Sequence, residues 1–288
     1  MYAIETVFEL QNELGEGPLW NPVENMLYWV DIMGKRFFRH TPGTANYEAF
    51  DLDTQPGCLA FIEGGGLALG VTEGFAIWRE GKLTYLENEA YQPAGRFNDG
   101  AVDRAGRFWA GTMSREPENY LFRLDADGSA QVMQDKVITS NGIGWSPDNK
   151  TMYYSDSGGG GIVYAYDFDL ASGTISNRRT FLPPTGTAAK ADGLTVDAEG
   201  TLWVAFWNGW RVARYDPDGV LMAEIKMPVQ RPTSCMFGGA DLSVLYITSA
   251  SIDMDRTEQP LAGALFSIQT DTKGLPEPFF KLNAAVSD

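Results

Sequence analysis

Four side chains with oxygen donors recur at matching points of the chain and could together hold a divalent metal ion. Two are carboxylates, Glu16 and Asp192, and two are amides, Asn98 and Asn141. Carboxylate and amide oxygens suit calcium, manganese, magnesium or ferrous iron, with positions left open for water and a substrate. The competing interpretation is that Asn and Asp simply begin strands after turns. Their common position in a repeat favours the metal site.

The repeat is a unit of about 42 residues whose first residue we call its head. Each head opens a short apolar run, and most are followed by a turn and by runs rich in aromatic and β-branched residues, as strands are. Four strands per unit predict an all-β fold, a six-bladed β-propeller in which residues 1–288 form one domain. The heads are Glu16, Pro56, Asn98, Asn141, Asp192 and Thr233.

The propeller would bring the heads together, because the innermost strand of each blade lines a central channel. Residues 3–8 form a strand that belongs to no unit. We expect this strand to pair with the last blade, near residues 277–281, and so to close the ring and remove an exposed edge.

Composition excludes several classes of partner. The formal net charge of −16 argues against nucleic acid and anionic membranes, and it suits a cation or a neutral small molecule. The first ten residues do not resemble a signal peptide, and no apolar run is long enough to span a membrane. With only two cysteines, Cys58 and Cys235, we expect a reduced, cytoplasmic protein. As a separate expectation, the protein is a monomer or a weak homo-oligomer.

The single histidine, His40, limits the chemistry further. A histidine-rich zinc site is excluded, and a Ser-His-Asp triad would have to use His40. This residue lies where a strand runs into a turn, and we interpret it as a surface imidazole. Hydrolytic chemistry would therefore come from carboxylates, amides or a metal held by oxygen.

Short motifs follow one another along the chain in a recognisable order. They are LGEGPLW at 14–20, RFNDG at 96–100 with AGTM at 110–113, SNG at 140–142 with SPD at 146–148, and ADGL at 191–194. Together they resemble the regucalcin/gluconolactonase (senescence marker protein) family, in its sugar-lactonase branch. The resemblance covers essentially the whole chain. One departure is Ala191, where the family often has proline, and it leaves Asp192 itself intact.

The resemblance implies a function and a set of residues for it. The family fold is a six-bladed propeller with one divalent metal, which here would be bound by Glu16, Asn141 and Asp192. The implied reaction is hydrolysis of a sugar lactone (an aldonolactone) to the aldonic acid, a step of carbohydrate metabolism. Arg96, Asn98 and Glu116 match positions that contact the substrate.

The implied metal would polarise the lactone carbonyl and activate a water molecule. It is expected to be calcium, with manganese, zinc or iron as alternatives. Asp192 is the candidate general base and Asp99 the second choice, because no histidine is available for proton transfer. Trp207 or Trp210 could stack on a sugar ring or pack between blades.

Two other functions remain open from the sequence. One is a phosphotriesterase-type or other lactone or ester hydrolase that uses the same site. The other is a calcium-binding propeller without turnover.

Overall fold

The computed structural model describes residues 2–87, 95–114 and 118–283, and within them every regular element is a β-strand. The strands form six antiparallel sheets of four strands each. The first strands of successive sheets contact one another in a closed ring. The predicted six-bladed propeller is therefore confirmed. No helix in the described residues is long and apolar enough to cross a membrane.

In each blade the strands follow one another from the innermost strand at the channel to the outermost strand. Blades 1 to 3 are β2 (Gly15–Asn21), β3 (Met26–Asp31), β4 (Arg36–His40) and β5 (Tyr47–Asp51); β6 (Pro56–Phe61), β7 (Leu67–Val71), β8 (Gly74–Arg79) and β9 (Lys82–Tyr85); β10 (Arg96–Val102), β11 (Phe108–Met113), β12 (Asn119–Leu124) and β13 (Ala130–Val137). Blades 4 to 6 are β14 (Ser140–Trp145), β15 (Thr151–Asp156), β16 (Ile162–Asp169) and β17 (Thr174–Leu182); β18 (Lys190–Val196), β19 (Leu202–Trp207), β20 (Arg211–Tyr215) and β21 (Leu221–Lys226); β22 (Pro232–Gly238), β23 (Val244–Ser249), β24 (Leu265–Gln269) and β1 (Ile4–Phe8).

Buried aspartates hold the turns between the first and second strands of blades 3 and 5. In blade 5, Asp197 accepts hydrogen bonds from the Trp203 indole at 3.0 Å and the Arg214 guanidinium at 3.0 Å. In blade 3, Asp103 accepts equivalent bonds from Trp109 at 2.9 Å and Arg107 at 2.7 Å. Because these carboxylates are fully buried, their partners are needed to offset the cost of desolvation. The aspartate of the repeated Asp-x-x-Gly turn thus has a structural role.

The glycines that follow several heads let the inner strands approach one another. A Cβ atom on Gly57 would lie 2.1 Å from the carbonyl oxygen of Phe97 in the next blade. A Cβ on Gly193 would lie 2.1 Å from the Ser234 hydroxyl, also in the next blade. Close contact around the axis therefore requires glycine beside these heads.

The first strand pairs with the last blade, as expected, but with a different segment. β1 is antiparallel to β24, with Ile4 opposite Ile268 and Thr6 opposite Phe266. The predicted partner, residues 277–281, is wrong: Phe280 instead forms backbone hydrogen bonds with Phe61 and Glu63 of blade 2. The Phe280 ring is fully buried beside Phe108, so its apolar character reflects packing across the blades.

His40 is the second correction, because it is buried instead of lying at the surface. Only 3% of its surface is exposed, and its Nδ1 donates a hydrogen bond to the carbonyl oxygen of Asn46 at 2.8 Å. Phe8 of β1 packs edge-on against the imidazole, with ring centroids 4.7 Å apart. The sequence pattern missed this burial because the covering strand comes from the far side of the ring closure.

Candidate active site

The heads lie where the inner strands lose regular pairing with the second strands. Each of the six inner strands has a register shift at its head, and in blades 3, 4, 5 and 6 the shift encloses the head itself. Asn98, Asn141 and Asp192 are thus in bulged backbone, and Glu16 is the last paired residue before its bulge. Bulges of this kind redirect side chains next to functional sites.

A cavity of about 560 Å³ lies at the mouth of the channel where the heads converge. This volume is within the usual range for small-molecule sites, roughly 300–1,000 Å³. Five predicted site residues lie on its wall: Glu16, Arg96, Asn98, Asn141 and Asp192. The heads Pro56 and Thr233 do not line it, and Thr233 is fully buried with its hydroxyl donating to the Gly15 carbonyl at 2.6 Å.

Glu16 and Asp192 form the acidic part of the wall. Both residues are buried, and burial raises the pKa of each carboxyl well above its usual range. The neighbouring charge of Asp99 raises both pKa values further, and Asp192 also raises that of Glu16. Among the described residues, none donates a hydrogen bond to the Asp192 carboxylate, and Glu16 accepts only from the adjacent Gly17 amide at 3.2 Å. Two buried acids therefore face the cavity with few hydrogen bonds from the described residues.

The two amide heads are linked to each other. The Asn98 amide nitrogen donates to the Ser140 carbonyl at 2.7 Å and to the Asn141 side-chain oxygen at 3.1 Å. The Asn98 oxygen accepts from the Arg96 guanidinium at 2.6 Å. Both amide protons of Asn98 are therefore in use, and one acceptor position remains for a ligand. Asn98 positions Arg96 and Asn141 as well as lining the cavity.

Ser157 is a site residue that the sequence interpretation missed. Its hydroxyl accepts a hydrogen bond from the Asn141 amide nitrogen at 2.8 Å and donates to the Ala191 carbonyl at 2.5 Å. It thereby orients the Asn141 side chain and ties it to the backbone beside Asp192. A signal was present: Asp156 pairs with Ser140 in the blade register, which places Ser157 next to the head.

Arg96 is a cation whose charge acts on both acids and lowers their pKa values. Burial lowers its pKa to about 10, and the charges of Glu16 and Asp192 act in the opposite direction. The guanidinium is therefore charged at neutral pH. Besides Asn98, it donates to the Phe97 carbonyl at 2.9 Å. A fixed cation on the cavity wall can hydrogen-bond to oxygen atoms of a substrate.

Asp99 lies apart from the cavity wall. It lines a separate space of about 30 Å³ with Cys58 and Ser234, large enough for about one water molecule. Its carboxylate accepts from the Gly100 amide at 2.7 Å, and burial raises its pKa to about 6. Its closest link to the site is electrostatic, through the pKa values of Glu16 and Asp192.

The remaining predicted residues divide into three cases. Glu116 lies outside the described residues. Trp207 lines the cavity. Trp210 is 39% exposed and does not line it.

The donor set is chemically suited to a hard divalent cation. Glu16 and Asp192 supply carboxylate oxygens that accept almost no hydrogen bonds from the described residues, and the Asn141 side chain is oriented by Asn98 and Ser157. Across residues 2–87, 95–114 and 118–283, no three His, Cys, Asp or Glu side chains form a metal-binding cluster. Glu16, Asn141 and Asp192 are two acids and one amide, so they do not count as such a cluster. Calcium and similar ions nevertheless accept a mixture of carboxylate and amide oxygens.

Comparison with known proteins identifies the family. The model of the SMP-30/Gluconolactonase/LRE-like region matches residues 14–251. The chain belongs to this family. The resemblance seen in the motifs is thereby confirmed.

Similar proteins align along almost the entire chain. Regucalcin from Danio rerio is 40% identical over 285 residues, covering 95% of this chain and 96% of the relative. The 6-deoxy-6-sulfogluconolactonase of Pseudomonas putida is 37% identical over 289 residues, covering 96% and 98%. Among solved structures, a calcium-binding protein, regucalcin, from Agrobacterium tumefaciens superposes with a TM-score of 0.92 at 28% identity, covering 98% of both chains.

Proposed function

We propose that this protein is a hydrolase that opens a sugar lactone to the aldonic acid with the help of one divalent metal ion. The observation that carries the proposal is the pair of buried carboxylates, Glu16 and Asp192, that face one cavity beside the charged Arg96. Family membership supports it, since a relative with 37% identity is named as a sugar lactonase.

Glu16, Asn141 and Asp192 are the residues that would hold the metal. When bound, a divalent ion supplies Lewis-acid polarisation of the lactone carbonyl and lowers the pKa of a bound water. We propose calcium first, because the Agrobacterium relative is named as a calcium-binding protein, with manganese, zinc and iron as alternatives.

The protein side chains would bind the substrate and move the proton. Arg96 would donate hydrogen bonds to ring or hydroxyl oxygens, held in place by Asn98. A carboxylate oxygen of Asp192 would take a proton from water as the water oxygen bonds to the lactone carbonyl carbon. When the single bond between that carbon and the ring oxygen then breaks, the same carboxyl would give the proton to the leaving alkoxide. Burial raises the pKa of Asp192, and the negative charge of Asp99 raises it further.

Two further parts of the proposal concern the substrate contacts and the setting. Glu116 is proposed to accept a hydrogen bond from a substrate hydroxyl. Both cysteines are free and buried, which is compatible with the proposed cytoplasmic location, and the protein is proposed to be a monomer or a weak homo-oligomer.

The test is hydrolysis of glucono-, galactono-, xylono- and arabinonolactones, followed by the release of acid. We expect turnover of at least one lactone, loss of turnover after the metal has been removed with a chelator, and recovery on adding calcium or another divalent ion. Asp192→Asn should reduce kcat by at least about a hundredfold. Asp218→Asn, in an exposed turn of the same blade, is the matched control and should retain activity.

The other functions give different results in the same assay. Activity that persists in protein verified to be metal-free would refute the proposed mechanism. If the protein hydrolysed phosphotriesters or simple esters but no lactone, the result would favour the phosphotriesterase-type or ester hydrolase function. Tight calcium binding with no turnover of any substrate would favour the binding protein.

A further inference from the structure

A second part of the cavity wall, on blades 5 and 6, carries two cations around one tryptophan. Lys190 and Trp207 are opposite each other across β18 and β19. The Arg231 guanidinium carbon lies 4.5 Å from the centre of the Trp207 ring. All three side chains line the cavity that contains Glu16 and Asp192. We call Lys190, Trp207 and Arg231 the basic corner.

Arg231 is held rigidly but is not fully used. Its Nε donates to the Asn208 side-chain oxygen at 2.8 Å, and its Nη1 donates to the Ile252 carbonyl. These bonds and the stacking on Trp207 fix the plane of the guanidinium. Nη2 makes no hydrogen bond to the described residues. Two N–H groups of a positioned arginine are therefore available to a ligand.

Lys190 is half-buried and also available. Its ammonium forms no ion pair or hydrogen bond with the described residues, although acids greatly outnumber bases in this chain. Asp253 lies on the same cavity wall, and its charge acts on Arg231, but it forms no ion pair with either cation. Two cations against one anion leave the basic corner with a net positive charge.

The position of the corner relative to the reacting group follows from the strand. Lys190 and Asp192 are two residues apart on β18, so their Cα atoms are at most about 7 Å apart. Lys190 begins the strand and is partly exposed, whereas Asp192 is buried. A lactone whose carbonyl lies at Asp192 would direct its other end toward the corner.

We propose that the basic corner binds an anionic group at the far end of the substrate, so that the preferred substrate is an acidic sugar lactone. The anionic group is a carboxylate, a sulfonate or a phosphate, each of which accepts hydrogen bonds from arginine and lysine. This inference rests on the proposed lactonase function and specifies its substrate class.

The test compares each neutral hexonolactone with derivatives that carry a carboxylate, a sulfonate or a phosphate on carbon 6. The readout is the ratio of kcat/KM for the anionic lactone to kcat/KM for the neutral lactone. The wild type should give a ratio above one for at least one anion, and the ratio should fall as salt is added. The identity of the best derivative distinguishes the three anions.

Variants then assign the preference to the corner. Lys190→Met and Arg231→Gln should each lower the ratio by roughly tenfold to a hundredfold, because a charge-assisted hydrogen bond is lost. Lys190→Arg keeps the charge and should restore most of the ratio. Lys226→Met, which removes an exposed lysine from β21 of the same blade, is the control and should leave the ratio unchanged.

Two results would overturn the inference while the proposed function stands. One is a wild-type enzyme that hydrolyses neutral lactones and has a ratio of one or less for all three anions. The other is an equal loss on neutral and anionic lactones in Lys190→Met. If no lactone is hydrolysed, the proposed function fails instead. Calorimetric binding of the corresponding acids, with and without the carbon-6 anion, then decides whether the corner binds anions.

Discussion

Replacing Ser157 by alanine should weaken metal binding while leaving the propeller folded. The Ser157 hydroxyl accepts from the Asn141 amide nitrogen at 2.8 Å and donates to the Ala191 carbonyl at 2.5 Å. Without it, the Asn141 side chain keeps the hydrogen bond from Asn98 to its oxygen but loses the acceptor of its buried amide nitrogen. The free energy of unfolding should fall by about 1–3 kcal/mol, the usual cost of a buried polar group left without its partner.

The effect on the metal should be larger than the effect on folding. Partners that orient a ligand typically contribute 10–100-fold to metal affinity or activity. We therefore expect the calcium Kd of Ser157→Ala to rise by roughly 10–100-fold. Isothermal titration of metal-free protein measures this Kd, and urea unfolding with chelator measures the stability of the same sample.

Ser155→Ala is a matched control. Its hydroxyl donates to the same Ala191 carbonyl at 3.0 Å but forms no hydrogen bond with Asn141. Both variants should be destabilised, and only Ser157→Ala should lose metal affinity. Equal calcium affinities in the two variants would refute the orienting role of Ser157, whatever their stabilities.

Three further perturbations test the fold and its electrostatics by urea unfolding. Deleting residues 1–8 removes β1 from β24 and should lower the free energy of unfolding by at least about 2 kcal/mol, since apolar burial and ring closure are lost. Asp197→Ala should cost about 3–5 kcal/mol because it leaves the buried Arg214 without its closest buried acid. With chelator present, the free energy of unfolding of Asp99→Asn should increase relative to that of the wild type by up to about 3 kcal/mol as the pH rises from about 4 to 7. The sign follows because the folded Asp99 has a pKa of about 6, so its contribution is present at low pH and lost as the pH rises through 6.

Each of these has its own control and contrary outcome. If the deletion left the free energy of unfolding unchanged, the pairing of β1 with β24 would not stabilise the propeller. Glu199→Ala removes a 63%-exposed partner of Arg214 and should cost less than about 1 kcal/mol, so a loss equal to that of Asp197→Ala would contradict the burial argument. A stability difference between Asp99→Asn and the wild type that is independent of pH would show that Asp99 titrates normally.

Several features of the fold could be predicted because they repeat. Each blade packs against its neighbours in the same way, so the same strand pattern recurs in every blade. The spacing of the heads therefore predicted six inner strands, and all six are present. The segment at 277–281 could not be placed in this way, because Phe280 packs against Phe108, far away in the chain. His40 was misplaced for the same reason: Phe8 covers it from outside its own unit.

Within the site, the residue types were predictable and their roles were only partly so. Glu16, Asn98, Asn141 and Asp192 were identified by their common position in the repeat, and all four line the cavity. Asp99 directly follows Asn98 in sequence but lines a separate space, and both residues lie in the bulge of β10. Ser157 and Arg231 belong to other strands or loops, outside the heads on which the sequence interpretation relied.

The sequence by itself determined the architecture and the family, because periodic strands and a ring of divergent heads are local patterns. Only the tertiary structure decided how the heads are used. It joins Arg96, Asn98, Asn141 and Ser157 by hydrogen bonds across two blades and leaves the Glu16 and Asp192 carboxylates facing a cavity. It also places Lys190 and Arg231 around Trp207. The hydrogen bond between Asn98 and Asn141 joins two blades. The arrangement as a whole depends on ring closure and on the bulge in each inner strand, which no single stretch of sequence specifies.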